Sequence, residues 1–296
     1  MDTPWGKGLN LNHVSSMRAL SLRGLTFGAV AACLVAAPAA AQGRLEARYT
    51  ASLAGMPIGS GAWVIEISDT EYTAYAQGKA SGLLQLFTAG TGSGGARGTV
   101  SQGRLAPRSY ASVITADRET DKVEMAFTAG SVKDFNVDPP LPPNPERIPV
   151  TDAHRKGVMD PMSAALMPVA GSGELLTPEA CKRKLHVFDG RQRTDIELVF
   201  KRMDRVKAEK GYEGPVVVCT PLYQPIAGHR PNRAAIQYLM KTQDMEIWLA
   251  PIAGTRVVVP FRFSVPTPFG SGVLQAIQFM TVAQSKPSTA ATAKTQ

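Results

Sequence analysis

The chain has 296 residues, 44% hydrophobic and 19% charged, with a mean hydropathy of −0.07. That balance supplies ample apolar material for a core and excludes a chain too polar to fold. The formal net charge of +8 suits contact with anionic surfaces, and which surfaces depends on where the chain resides.

The address is read at the N-terminus. In "MRALSLRGLTFGAVAACLVAAPAAAQG" Arg18 and Arg23 form a positive region, Leu25 to Val35 an apolar stretch, and Ala39-Ala40-Ala41 a cleavage site before Gln42. Residues 1–41 are therefore expected to be an extension plus a cleaved export signal, with residues 1–16 preceding a signal that begins at Met17. Residues 24–43 carry no charge, which raises the alternative of a retained anchor. Cys33 raises that of a lipoprotein. Pro38 and the cleavage pattern oppose the first, and the apolar residues after Cys33 oppose the second. A basic protein exported to the periplasm meets anionic envelope surfaces rather than nucleic acid.

From residue 44 the period is two. Leu45, Ala47, Tyr49, Ala51 and Leu53 share one face of "RLEARYTASL", with polar residues on the other, as in a strand wet on one side. "SGLLQLF" (81–87) offers a turn or two of helix with Leu83, Leu84 and Phe87 on one side. "GTGSGG" matches a dinucleotide pattern at Gly90, Gly92 and Gly95, but no strand precedes it and no helix follows, so a flexible loop is expected. Alternation returns at Val123, Met125 and Phe127. Six prolines in residues 138–149 predict an irregular crossing. It divides residues 42–137 from 150–280, read as halves of one β-rich domain, 42–280. "DPMSAALM" (160–167) predicts a short helix with Asp160 as N-cap and Pro161 at its first position. Further alternating strands follow at 195–201 and 257–265. Gly55, Met56-Pro57, Gly103, Gly130, Asp189-Gly190 and Gly211 read as turns. Residues 281–296 read as a disordered tail. The whole is an all-β, mainly antiparallel protein with one or two short helices.

The densest chemistry lies in "ACKRKLHVFDGRQRTDIELVF" (180–200). An Asp-Gly between apolar runs predicts a hairpin, which gives Asp189 a turn role. Cys181 and Cys219 form an even pair in an exported chain and are expected to bond. No metal-ligand spacing supports a site with His186 or Asp189, so no metal is expected. If 181–188, 191–205 and 215–223 form a meander, its first and third strands lie about 9.6 Å apart. A disulfide needs Cα atoms within about 7 Å, so "LTPEAC" must bend out of the sheet at Pro178. Between Cys181 and Lys210 stand ten Lys or Arg and five Asp or Glu. Either a solvated strand face or a cationic patch explains them. The patch would consist of Lys182, Arg183, Lys184, Arg191 and Arg193, facing lipid phosphates, lipopolysaccharide or cell-wall carboxylates. No G-x-S-x-G elbow exists. His154, Asp160 and Ser163 make a triad only on paper, and His229 reads as a solvated loop residue. No catalytic residue and no cofactor is expected.

"GLLQLF", "GRLAPRSY", "DPMSAAL", "VFDGRQRTDIEL", the cysteine pair and "MEIWLAPI…VVPFRFSVPTPFG" together resemble exported bacterial proteins labelled domain of unknown function 3108. The resemblance implies a large curved sheet, an open barrel or β-spiral, similar to periplasmic lipoprotein carriers and envelope-integrity proteins. It carries over no catalytic residues. The expected function is non-enzymatic binding of a hydrophobic or amphipathic envelope component in support of envelope integrity. Phe87, Met162, Leu166 and Trp248 would line the ligand space and the short helices would act as plugs. The alternative is a structural module that engages an envelope protein through its basic face around a filled interior. An envelope hydrolase ranks third.

Overall fold

The computed structural model describes residues 42–81 and 90–284. Expectations for residues 1–41, for Phe87 with the rest of 82–89, and for 285–296 lie outside the described residues. The first half is a meander of seven strands: β1 (Gly43–Leu53), β2 (Met56–Ile67), β3 (Glu71–Ala80), β4 (Gly90–Ser101), β5 (Arg104–Ala116), β6 (Glu119–Thr128) and β7 (Ser131–Asp138). The second half adds β8 (Met167–Pro168), β9 (Arg183–Phe188), β10 (Arg193–Lys207), β11 (Lys210–Gly211), β12 (Glu213–Ala227), β13 (Glu246–Pro251), β14 (Val257–Thr267) and β15 (Gly270–Ala283). All join one sheet in the order β7-β6-β5-β4-β3-β2-β1-β15-β14-β13-β12-β10-β9, with β11 and β8 attached beside β15 and β14. The long pairings are antiparallel, and β1 against β15 joins the two halves.

The sheet is open, with edge strands β7 and β9, and one segment ties its edges together. Lys156 bridges to Ser131, and the Val158 amide donates to the Gly130 carbonyl at 2.9 Å. On the other side the Met159 amide donates to His186, and the Phe188 amide donates back to Met159. Residues 156–159 thus satisfy backbone groups of both edges, which would otherwise stay exposed for pairing with other chains.

Burial follows the alternation. Leu45, Ala47 and Tyr49 of β1, Trp63, Ile65 and Ile67 of β2, and Tyr72 and Ala74 of β3 turn one face into the main core. There they meet Val216, Val218, Trp248, Val259, Phe261 and Phe279 from the second half. The second half is also covered on its other face, where Val217, Cys219, Leu249 and Val258 pack with Met167, Val169 and Ala180. A third cluster at the joined edges holds Val123, Met125, Phe127, Val158 and Phe188.

Three elements differ from expectation. "GTGSGG" is part of β4, not a loop. Paired on both sides, its backbone is fully committed, and glycine permits close approach to the neighbours. At Gly98, farther along β4, a Cβ would collide with the Tyr72 ring and the Ala106 carbonyl. Met56-Pro57 opens β2 instead of forming a turn, because Ala54 and Gly55, both at positive φ, complete the reversal. Helix α2 (Ala234–Lys241) was not expected. It is largely apolar and amphipathic, but only eight residues long, and none of its residues is buried. Helix α1 (Pro161–Ala164) has the expected start, with Asp160 accepting from the amides of Met162 and Ser163, but it ends after four residues and Met167 of the expected 160–167 segment lies in β8. β15 continues to Ala283, three residues past the expected boundary at 280.

Candidate functional site

The 180–200 stretch forms a hairpin, and most of its charged side chains make contacts within the molecule. The Asp189 carboxylate accepts from the amides of Arg191 and Gln192 at 2.8 and 2.6 Å, closing the turn. Gly190 sits at φ +94°, and a Cβ there would lie 2.5 Å from Val123 of β6. Arg191 reaches across to Asp121 at 2.7 Å and to the Pro139 carbonyl. Phe188 is buried and meets Phe135 of β7 edge to face, ring centroids 6.3 Å apart. The hairpin is the seam where the two ends of the sheet meet.

The cations of the expected basic patch have partners inside the molecule. Lys182 pairs with Glu179, Arg183 donates to the Ala180 carbonyl, and Arg191 pairs with Asp121. Lys184, His186 and Arg193 converge on Asp195 at 3.7, 2.9 and 2.7 Å. Burial alone would raise the Asp195 carboxyl, but hydrogen bonds from His186 and Arg193 overcome it and hold the group below its ordinary range. Three carboxylates, Glu179, Asp121 and Asp195, thus meet four of the five cations, and among the described residues Arg183 has a carbonyl partner only.

Cys181 and Cys219 are bonded, with Cα atoms 5.6 Å apart. Cys181 ends a 3-10 turn, Pro178–Cys181, outside the sheet, while Cys219 lies in β12. The bridge fastens this turn over the outer face of β12. A disulfide fits an exported chain.

Leu166 and Trp248 do not line a ligand space. Both are buried in the main core, and Met162 packs against it. The plug reading of α1 is corrected with them: α1 and Leu166 fill the interior. The paper triad dissolves too. His154 Nδ1 accepts from the Thr151 amide, Asp160 caps α1, and the Ser163 hydroxyl bonds the Tyr72 hydroxyl at 2.7 Å. Burial raises the Asp160 carboxyl, against the hydrogen bonds it accepts. His229 is buried and not solvated, 8% exposed. Among the described residues no group of three or more His, Cys, Asp or Glu is placed to hold a metal.

The open surface lies on the other side of the first half. One cross-strand row on the face turned away from the main core reads Val64, Tyr75, Gly95, Ala111, Glu124, Asn136 from β2 to β7. Large residues at its ends and small ones at its middle leave a trough. The trough consists of two concavities, of about 970 and 700 Å³, that share Tyr75. Glu66, Arg97, Glu124 and Asp134 stand in the first, and Arg48 and Lys79 in the second. Glu66 is paired with Arg44. Among the described residues the other five have no oppositely charged partner within 4 Å. Tyr75 is 50% exposed and Val113 41% exposed between these charges. Sequence reading missed this site because its residues come from eight strands, β1–β7 and β15, and each looks like part of an ordinary strand.

A family model described as a protein of unknown function, DUF3108, matches residues 48–277. No curated protein matches the chain. Among solved structures the chain is similar to a beta-barrel-like protein of the domain of unknown function DUF1849 from Brucella abortus. Identity is 11% and the TM-score 0.44, and the match covers 82% of this chain and 98% of that one. Among the described residues no helix is long and apolar enough to cross a membrane.

Proposed function

The chain belongs to the DUF3108 family, and we propose that it is a non-enzymatic periplasmic protein that holds an amphipathic envelope component in the trough of β2–β7, in support of envelope integrity. The observation that carries this is a long concave face with exposed Tyr75 and Val113 at its centre and unpaired charges of opposite balance at its ends. An apolar stem would cover the tyrosine and valine, and an anionic group would sit with Arg48 and Lys79, where no acid competes. Pockets of several hundred cubic ångströms are of ligand size. A filled interior leaves the outer face as the place for such a molecule. The alternative of a module docking through residues 182–193 has less to stand on, since four of those five cations already contact carboxylates of the chain.

The test is organic extraction and mass spectrometry of protein purified from its native envelope, beside a Tyr75→Glu, Val113→Glu variant. An amphiphile that accompanies the parent and is lost from the variant is expected. Equal recovery from both would exclude the trough.

A further inference from the structure

A second concavity, which shares no lining residue with the trough, lies where the proline-rich crossing meets the loop between β12 and α2. It encloses about 300 Å³ and is lined by Asn144, Arg147, Gln192, His229, Arg230 and Arg233 among others. Three guanidinium groups and an imidazole converge there, and no carboxylate lines it. Glu146, the nearest acid in sequence, is exposed and outside the lining. Among the described residues none of the three arginines has an acidic partner within 4 Å, unlike the cations of the seam.

One buried nitrogen at this place has no partner among the described residues. Arg147 Nε is sealed from solvent and unbonded, while the His229 imidazole beside it is more than nine-tenths buried and bonds the Ala227 backbone. A buried donor left without an acceptor costs about 1–3 kcal/mol, so such a donor marks a place where something else completes the bonding. The other end of the Arg147 guanidinium is fixed by donation to the Gly228 carbonyl at 2.8 Å. The crossing is held in place by reciprocal backbone bonds, the Ile148 amide to His229 and the Gly228 amide to Ile148.

The helix adds a third observation. Arg233 is the N-cap of α2 and makes no side-chain capping bond, and the first intrahelical bond runs from Gln237 to Arg233. The amides of the first turn, at Ala234, Ala235 and Ile236, are therefore free for an acceptor, and Ile236 itself lines the concavity. Cations, an orphaned buried donor and free helix amides meet at one cavity.

We propose that this cavity is an oxyanion site for a phosphate-type group, either free phosphate or the phosphate of a lipid headgroup. Guanidinium groups give charge-assisted, often paired hydrogen bonds to such oxygens. The volume is at the small end of ligand pockets, so a phosphate with a glycerol-sized substituent is the scale it accepts. The site is separate from the trough and stands whether or not the trough binds an amphiphile.

Calorimetric titration of the full chain tests it, with inorganic phosphate in one arm and micelles of lysophosphatidylglycerol in the other. The partner variant is Arg230→Gln with Arg233→Gln, which removes two charges from loop and cap positions outside the core. The expected result is binding in at least one arm, weakened about tenfold or more in the variant, and weakened further by added salt. Binding of inorganic phosphate assigns the site to free anions, and binding confined to the lysolipid assigns it to headgroups. His229→Gln, which keeps a donor but no ring, is expected to weaken binding less than the double variant. No binding in either arm, or equal binding by parent and double variant with matching thermal midpoints, would overturn the assignment.

Discussion

The two halves of the sheet solve the same problem differently. In β1–β3 the buried residues alternate, over Gly43 to Tyr49, Trp63 to Ile67 and Tyr72 to Ala74, and the outer face is left to water and to the trough. In β12–β14 consecutive residues are buried, Val216 to Cys219, Ile247 to Ala250 and Val257 to Val259. The difference is the cover: residues 167–181 lie over the outer face of the second half and are fastened to it by the disulfide. Strands buried on both faces read as continuous apolar runs, and strands buried on one face alternate. Charge follows the same division. The seam joins its ends through Arg191 with Asp121 and Arg193 with Asp195, while the open face leaves Arg48, Lys79, Arg97, Glu124 and Asp134 unpaired among the described residues.

The comparison breaks first if the cover is not what stabilises the second half. Replacing Cys181 and Cys219 together by Ala removes a link that contributes about 4 kcal/mol in the chain-entropy account. A large fall in the denaturation midpoint is expected, with hydrogen exchange rising at Val217 and Leu249 more than at Ile65. Next in size is Leu166→Ala, which hollows the main core and should cost about 2–5 kcal/mol. Tyr75→Ala on the open face should change stability by about 0.5 kcal/mol or less. Similar losses from Leu166 and Tyr75 would erase the distinction between filled interior and open face.

Gly190→Ala probes the seam. It forces a side chain into a positive-φ position against Val123 and should cost more than about 1 kcal/mol. Faster exchange is expected at the Val158, Met159 and Phe188 amides, where the edges are tied.

The smallest effect concerns acid. Glu246 accepts two bonds from Arg202, at 2.7 and 3.1 Å, and pairs with Lys201. The Arg202 bonds, against partial burial and with help from Lys201, lower its carboxyl from 4.5 to about 2. A depressed carboxyl stabilises the fold above its unfolded value, and the contribution fades as pH falls from about 4.5 toward 2. Glu246→Gln should flatten the stability curve in that window and leave its shape unchanged above pH 6, as urea titrations across pH will report.

Much of this was legible in sequence where local physics decides. Alternation marked β1, β6, β10 and β14. Asp189-Gly190 marked the seam hairpin. The two-strand spacing required Cys181 to leave the sheet, and the 3-10 turn at Pro178 is where it does so. What sequence hid depends on neighbours distant in the chain. "GTGSGG" is a strand only because β3 and β5 supply partners on both sides. The run of cations at 182–193 looked like a patch because Asp121, 70 residues away from Arg191, and Asp195, across the hairpin, could not be placed beside it. Arg147 and the 229–233 cluster are far apart in sequence, and only the fold of the crossing brings them together. Leu166 and Trp248 are apolar in either reading, so the choice between lining and core waits on whether the interior is full.

The central claim is that the ligand face is the outside of the first half and not the interior. A photoactivatable single-chain amphiphile, cross-linked to the full chain and mapped by peptide mass spectrometry, tests this most directly. Adducts on peptides spanning residues 72–79 and 109–116, lost in Tyr75→Glu, are the predicted result. Adducts concentrated on residues 158–167 or 246–261 would place the ligand inside the sheet and contradict the account.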